Sequence, residues 1–370
     1  MQKIITAENN YIELDNWIRE NKTGRLMLVC DSSLKFLNGI NEKLPKLKTE
    51  IVRFDDFQPN PLYESVVKGV ELFRSESCQG IIAIGGGSAI DVAKCIKLYS
   101  NMEGSGENGS FLKQEIIPNN IPFLAMPTTA GTGSEATRYA VIYYNSEKQS
   151  VTHESCIPET VLFDPSVLKT LPIYQKKATM MDALCHAMES FWSVNSTDES
   201  KEYSKEAIQL ILANKDGYIS NDETANANML RAANIAGKAI NITQTTAGHA
   251  MCYKLTSLYG IAHGHAAALC VKALFPYMIA NTDKCIDPRG EEYLKATFGE
   301  IAKALGCDAP TLAANRFAEV VNSLDLASPQ IESESDIDVL KTSVNPVRFK
   351  NNPVGLNVET IEMLYKEILK

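Results

Sequence analysis

Short apolar runs alternate with amphipathic stretches through the first half of the chain. Residues 25–31 (RLMLVCD), 49–54 (TEIVRF), 80–86 (GIIAIGG) and 121–129 (IPFLAMPTT) read as buried strands. Residues 63–77 (YESVVKGVELFRSES) and 88–100 (SAIDVAKCIKLYS) carry apolar side chains at helical spacing. Strands alternating with helices predict a mostly parallel sheet, hence an α/β domain over 1–171. From Pro172 the pattern changes to long stretches rich in Ala, Met, Leu, Lys and Glu, at 172–194, 199–213, 224–242 and 265–281. Pro172 suits the start of a helix, and no segment beyond it reads as a strand, so residues 172–370 are expected to be all-α. The polar stretch 101–110 (NMEGSGENGS) reads as a surface loop, and 328–338 (SPQIESESDID) as an acidic, exposed connection.

Composition narrows the setting. A length of 370 residues agrees with two domains at about 150 residues each. The net charge of −9 and pI of about 5.3 weigh against a nucleic-acid surface. The N-terminal MQKIITAENNYIELD lacks a basic region followed by an apolar run, and no stretch of about 18 apolar residues exists to span a bilayer. The nine cysteines are odd in number and form no CxxC pair, so they read as reduced thiols. These features lead us to expect a cytoplasmic protein with no membrane partner.

Two constellations carry chemistry. Asp182 and His186 stand four apart in ATMMDALCHAMESFW, which brings them to one face of a helix; His249 opens AGHAMCYKL, and His263 lies in GIAHG. One carboxylate and three imidazoles suit iron(II) or zinc and leave a coordination position for a substrate. Separately, Gly85-Gly86-Gly87-Ser88 follows an apolar strand and opens a helix. Glycines allow close approach of a phosphate, and the helix N-terminus offers free N–H groups. A tight βα turn is the plainer reading of this loop, since GGGS is not the GxGxxG fingerprint. A second polar loop, PTTAGTGSEAT (127–137), supplies Thr128, Thr129, Thr132 and Ser134; two such loops favour a Rossmann-like dinucleotide crevice. Asp31, at the end of LVCD, is placed either to accept hydrogen bonds from an adenosine ribose, favouring NAD(H) over NADP(H), or to cap a turn.

With these residues laid out, the chain resembles the iron-containing (group III) alcohol dehydrogenases over nearly its whole length. PNP at 59–61, GGGSAIDVAK at 85–94, PTTAGTGSEAT at 127–137, VLFDPSVLKTLP at 161–172, MDALCHAMESF at 181–191, GHAMCYKLTSLYGIAHG at 248–264 and NNPVGL at 351–356 match that family's signatures in order. The resemblance implies the dehydroquinate synthase-like fold, with a nucleotide domain, a helical metal-binding domain and the site in the cleft between them. It implies metal ligands at Asp182, His186, His249 and His263. It implies cofactor contacts at Asp31, Gly86, Gly87, Ser88, Thr128, Thr129 and Thr132, with Asp91 in the same motif, and it implies a homodimer. Iron(II) is the expected metal, with zinc or manganese as alternatives. Many members carry a histidine four residues after the third ligand; here that position is Tyr253, which puts a histidine proton relay in doubt and makes Tyr253 or water the expected proton donor.

The expected reaction is hydride transfer between a nicotinamide and a small aldehyde or alcohol at the metal site, with His263 and Tyr253 at its centre. Arg138, Lys254 and His265, with His153, suggest a basic cleft for an anionic aldehyde. His265 reads more readily as a packing residue beside the site, and the two cations equally as solvated surface charges or salt-bridge partners. The motif GHAMCYKLTSLYGIAHGH is similar to the phosphonoacetaldehyde reductase (hydroxyethylphosphonate dehydrogenase) subgroup. A sulfoacetaldehyde reductase and a polyol dehydrogenase are the nearer alternatives, and a dehydroquinate synthase-like lyase the more distant one.

Overall fold

The apolar runs of the first half become the centre of one parallel sheet. The computed structural model describes residues 2–8, 10–331, 333, 335–344 and 349–369. Its chain divides into two compact units, Met1–Thr129 with Gly133–Leu171 and Pro172–Lys370 with Ala130–Thr132. The first unit contains β1 (Lys3–Thr6), β2 (Arg25–Cys30), β3 (Glu50–Phe54), β4 (Gly80–Gly85), β5 (Phe123–Pro127), β6 (Tyr139–Tyr144), β7 (Glu147–Thr152) and β8 (Thr160–Phe163). Six of these form a sheet in the order β1-β8-β5-β4-β2-β3, every pairing parallel. β4 and β5 are buried along their whole length, which is why they read as continuous rather than alternating apolar runs. The helices of this unit are α1 (Ile12–Asn21), α2 (Asn38–Lys43), α3 (Tyr63–Ser75) and α4 (Gly87–Tyr99).

The strand order places a topological switch between β2 and β4. The chain leaves β2 towards β3 on one side and returns through α3 to β4 on the other. In open α/β sheets, ligands bind outside the carboxyl ends of the strands at such a point. Asp31 follows β2 there, and the glycine loop follows β4, with Cys30 paired to Ile84.

Four strands lie outside the runs read as strands above. β1 is a largely exposed edge strand of four residues, too short and too polar in its surroundings to stand out. β8, also four residues, is buried but lies inside a motif read for its resemblance alone. β6 and β7 pair as an antiparallel hairpin through Asn145 and Ser146, both at positive φ (51° and 63°), the conformation of a primed two-residue turn without its usual glycine.

The second unit is built of helices: α5 (Ile173–Trp192), α6 (Asp198–Ile219), α7 (Glu223–Thr243), α8 (Ala247–Tyr259), α9 (His263–Ala280), α10 (Glu291–Ala304), α11 (Pro310–Ser323), α12 (Ser335–Thr342) and a last helix, Val358–Ile368. α5 is buried on every side from Met180 to Trp192 and packs against α6, α7 and α9. The expected exposed connection at 328–338 is corrected in part: α12 begins within it, and Asp336 is buried, accepting a hydrogen bond from Tyr259. Glu332 and Glu334 of that stretch lie outside the described residues. Among the described residues no helix is long and apolar enough to cross a membrane.

Candidate metal centre and nucleotide loop

α5 carries Asp182, His186 and Glu189 at spacings of four and three, so all three share one face. α8 contributes His249 from its first turn, and α9 opens at His263. One ligand atom each from Asp182, His249 and His263 lie within 4.8 Å of one another. His249 Nε2 is 3.4 Å and His263 Nε2 3.9 Å from Asp182 Oδ1. The fourth expected ligand, His186, is not in that cluster of three; its ring stacks on His249 with centroids 4.4 Å apart. Its Nδ1 is buried without a partner of ordinary hydrogen-bond geometry, although the Gly131 backbone is a polar neighbour of the same ring.

The electrostatics follow from packing one carboxylate among imidazoles. Burial works to raise Asp182, but His186, His249 and His263 outweigh it and hold the carboxyl far below the usual carboxylate range. Burial drives His186 down to about 4 against the pull of Asp182, so its ring is neutral at physiological pH, as a ligand must be. Burial also opposes charge on His249, yet Glu189 and Asp182 outweigh it and raise the ring to about 9. Two buried carboxylates here attract positive charge, which a divalent cation can supply. Nitrogen and oxygen donors in this combination fit iron(II), zinc or manganese.

Two positions that build this centre escaped the sequence reading. Glu189 is fully buried, and its carboxylate meets His249 Nδ1. Its signal was present in HAMESF, three residues after His186 on the same helical face. Gly264 is the other: a Cβ there would lie 2.0 Å from the Ala178 carbonyl oxygen and 2.7 Å from Asp182 Cβ. Only a glycine lets the first turn of α9 approach α5 closely enough to bring His263 beside Asp182.

Around the centre, Tyr253 is half-buried and stacks on His263 with centroids 5.3 Å apart and planes 23° from parallel. Lys254 follows it, also half-buried. His265 is engaged on both ring nitrogens: Nδ1 meets Tyr174 Oη at 3.0 Å, Nε2 meets the Ala327 carbonyl at 3.0 Å, and burial lowers its affinity for a proton. Those contacts match a packing histidine. Arg138 belongs to the first unit, where its guanidinium donates to Glu154 at 2.6 Å and contacts Tyr139. His153, also in that unit, bonds Ser155.

In the first unit the glycine loop and its surroundings are tied together. Asp31 Oδ1 accepts from Ser33 N–H at 2.8 Å, capping a 3₁₀ turn, and Oδ2 accepts from Gly86 N–H at 3.1 Å. A Cβ on Gly85 would lie 2.5 Å from that Oδ2, so glycine is required for the approach. Gly87 and Ser88 begin α4, positions whose N–H groups have no intrahelical acceptor. Thr128 N–H donates to the Gly85 carbonyl at 3.0 Å, and Thr129 lies against Gly86. Thr132 is half-buried and groups with the second unit. Asp91 is half-buried, and its carboxylate accepts from Ser134 Oγ at 2.5 Å and Val141 N–H at 2.9 Å.

The sequence matches two family descriptions, "Iron-containing alcohol dehydrogenase" over residues 2–165 and "Fe-containing alcohol dehydrogenase family, C-terminal" over residues 176–369. It is 32% identical to 1,3-propanediol dehydrogenase of Citrobacter freundii over 318 residues, covering 83% of this chain and 80% of that one. It is 29% identical to phosphonoacetaldehyde reductase of Streptomyces viridochromogenes over 317 residues, covering 82% and 80%. The fold is shared with the crystal structure of a sulfoacetaldehyde reductase from Bifidobacterium kashiwanohense in complex with NAD+, at a TM-score of 0.86, 23% identity and coverage of 99% and 96%. The chain therefore belongs to the iron-containing alcohol dehydrogenase family, and it is an oxidoreductase acting between alcohol and aldehyde.

Proposed function

We propose that this protein catalyses reversible, metal-dependent hydride transfer between NADH and a small aldehyde, giving NAD+ and a primary alcohol. The observation that carries the reading is the convergence of Asp182, His249 and His263 with His186 stacked beside them. Asp182, His186, His249 and His263 would hold a divalent cation, iron(II) by family. When bound, that cation supplies Lewis acidity at a substrate carbonyl and neutralises negative charge developing on its oxygen. NADH supplies the hydride, and the amides of Gly86, Gly87 and Ser88 at the positive end of α4 would bind its pyrophosphate. Thr128, Thr129 and Thr132 would add hydroxyl contacts. Asp31 would orient the adenosine ribose and repel a 2′-phosphate, favouring NAD(H).

Reduction also needs one proton at the former carbonyl oxygen. Tyr253 Oη, on a ring fixed by stacking against His263, would deliver it or align the water that does. For substrate charge, Lys254 is the cation that the geometry leaves to support an anionic aldehyde, because Arg138 and His265 are engaged elsewhere. The relatives act on both charged and neutral compounds by name, so charge preference is part of the test. The reading includes a homodimer and a cytoplasmic location; the nine cysteines are all free, in keeping with a reducing compartment.

The test is NADH consumption by iron(II)-reconstituted protein with phosphonoacetaldehyde, sulfoacetaldehyde, glyceraldehyde and propanal. Expected is turnover with at least one aldehyde that disappears on chelation. His263→Ala should lose metal and turnover together, with turnover falling at least about 100-fold, the order lost with one preorganised electrostatic group. Undiminished turnover in metal-free His263→Ala would overturn the reading. Lys254→Ala should weaken only anionic substrates.

A further inference from the structure

Glu189 is engaged at both carboxylate oxygens, and the proposed reaction gives it no part. Its Oε1 accepts from Thr246 N–H at 3.0 Å, Thr246 Oγ1 at 2.6 Å and His249 N–H at 3.2 Å. Its Oε2 meets His249 Nδ1. The Thr246 hydroxyl in turn accepts from Trp192 Nε1 at 2.9 Å, one turn further along α5, which turns its own proton towards Glu189. α8 has no capping side chain of its own, so Glu189 satisfies its first-turn amides from a neighbouring helix. Gly248 leaves the room: a Cβ there would lie 3.0 Å from Glu189 Oε1 and 2.7 Å from Val271 Cγ2.

A carboxylate that accepts three hydrogen bonds on one oxygen has only an acceptor to offer on the other. His249 Nδ1 must therefore carry a proton towards Oε2, and the neutral ring then presents the lone pair of Nε2 on the side of Asp182, 3.4 Å away. We infer that Glu189 is the positioning residue for His249: its carboxylate fixes which ring nitrogen is available to the metal while anchoring the helix turn that carries the ring. This rests on the metal reading given above.

Glutamine is close to isosteric but cannot serve both ends. With its oxygen on the Oε1 side, its NH2 faces Nδ1, so His249 must accept there and carry its proton on Nε2, where the metal would bind. With the oxygen reversed, the NH2 faces two backbone N–H groups. The three donors on the Oε1 side favour the first arrangement, which preserves the helix turn and spoils the ligand.

The experiment is cobalt(II) affinity, by chelator competition, of wild-type protein and Glu189→Gln, with thermal unfolding of both metal-free proteins alongside. Expected is a folded variant that binds cobalt about 10- to 100-fold more weakly, the range for losing a partner of a metal-bound histidine. Wild-type protein that binds no cobalt overturns the metal reading itself. Wild-type binding with an affinity for Glu189→Gln within about twofold overturns this inference alone. Should Glu189→Gln fail to fold, zinc-loaded wild-type protein labelled with 15N-histidine decides the point: His249 with a proton on Nδ1 supports the inference, and a proton on Nε2 overturns it.

Discussion

Asp91 shows how much a motif residue's contacts add to its reading. It belongs to the motif in which the resemblance implies cofactor contacts, and its half-buried carboxylate accepts from Ser134 Oγ and Val141 N–H. Burial raises its pKa, opposed chiefly by Lys94. Lys94 is itself fully buried and donates to the Thr137 carbonyl and hydroxyl and to the Tyr139 carbonyl. Both side chains clamp the end of the second polar loop to α4, Asp91 through Ser134. Asp91→Ala should destabilise the protein by about 2 kcal/mol, the order for leaving two hydrogen-bond donors without their charged acceptor. It should also raise KM for NADH more than it lowers kcat. Thermal unfolding and steady-state kinetics check both; unchanged stability would sink the clamp. At this scale the metal-ligating types and spacings could be read in the sequence, because i, i+4 placement follows from helix geometry. The partners of His265, Arg138 and Glu189 could not, because they are set by long-range packing.

Elements were legible wherever burial was continuous or the helical period long. The core strands β2, β4 and β5, and α5 from its start at Ile173 to Trp192, lie within a few residues of the expected spans. α8 was not picked out as a helix: AGHAMCYKLTSLY was read for its histidine, and its first turn is held by Glu189 from α5 rather than by a local capping residue. The approach of α9 to α5 depends on Gly264, where any side chain meets the backbone of α5. Gly264→Ala should force α9 away from α5 and cost about 3 kcal/mol, at the upper end for overpacking a close contact. The displacement acts on His263 next door, so metal content after reconstitution should fall with stability. A variant that melts lower yet retains full metal would show that the approach serves packing alone.

At the scale of the whole chain, the two chemistries are distributed unequally between the units. Asp182, His186, His249 and His263 all belong to the helical unit, whereas Asp31 and the glycine loop belong to the sheet unit. A ligand that binds only the folded state stabilises what it binds, by about 2.7 kcal/mol at one hundred times its dissociation constant. Metal should therefore protect backbone amides of α5, α8 and α9 from hydrogen exchange, and NADH those of residues 80–100, 127–129 and 133–137 in the sheet unit. Chelation of the loaded protein should release the first set while leaving NADH protection of the second measurable. Exchange mass spectrometry with each ligand alone separates the two. Protection of the sheet unit by metal alone would place the ion away from the aspartate and histidines that we assign to it. Protection of both units by either ligand would mean that the units share one cooperative unfolding step, and the four ligands would then have to be tested by substitution.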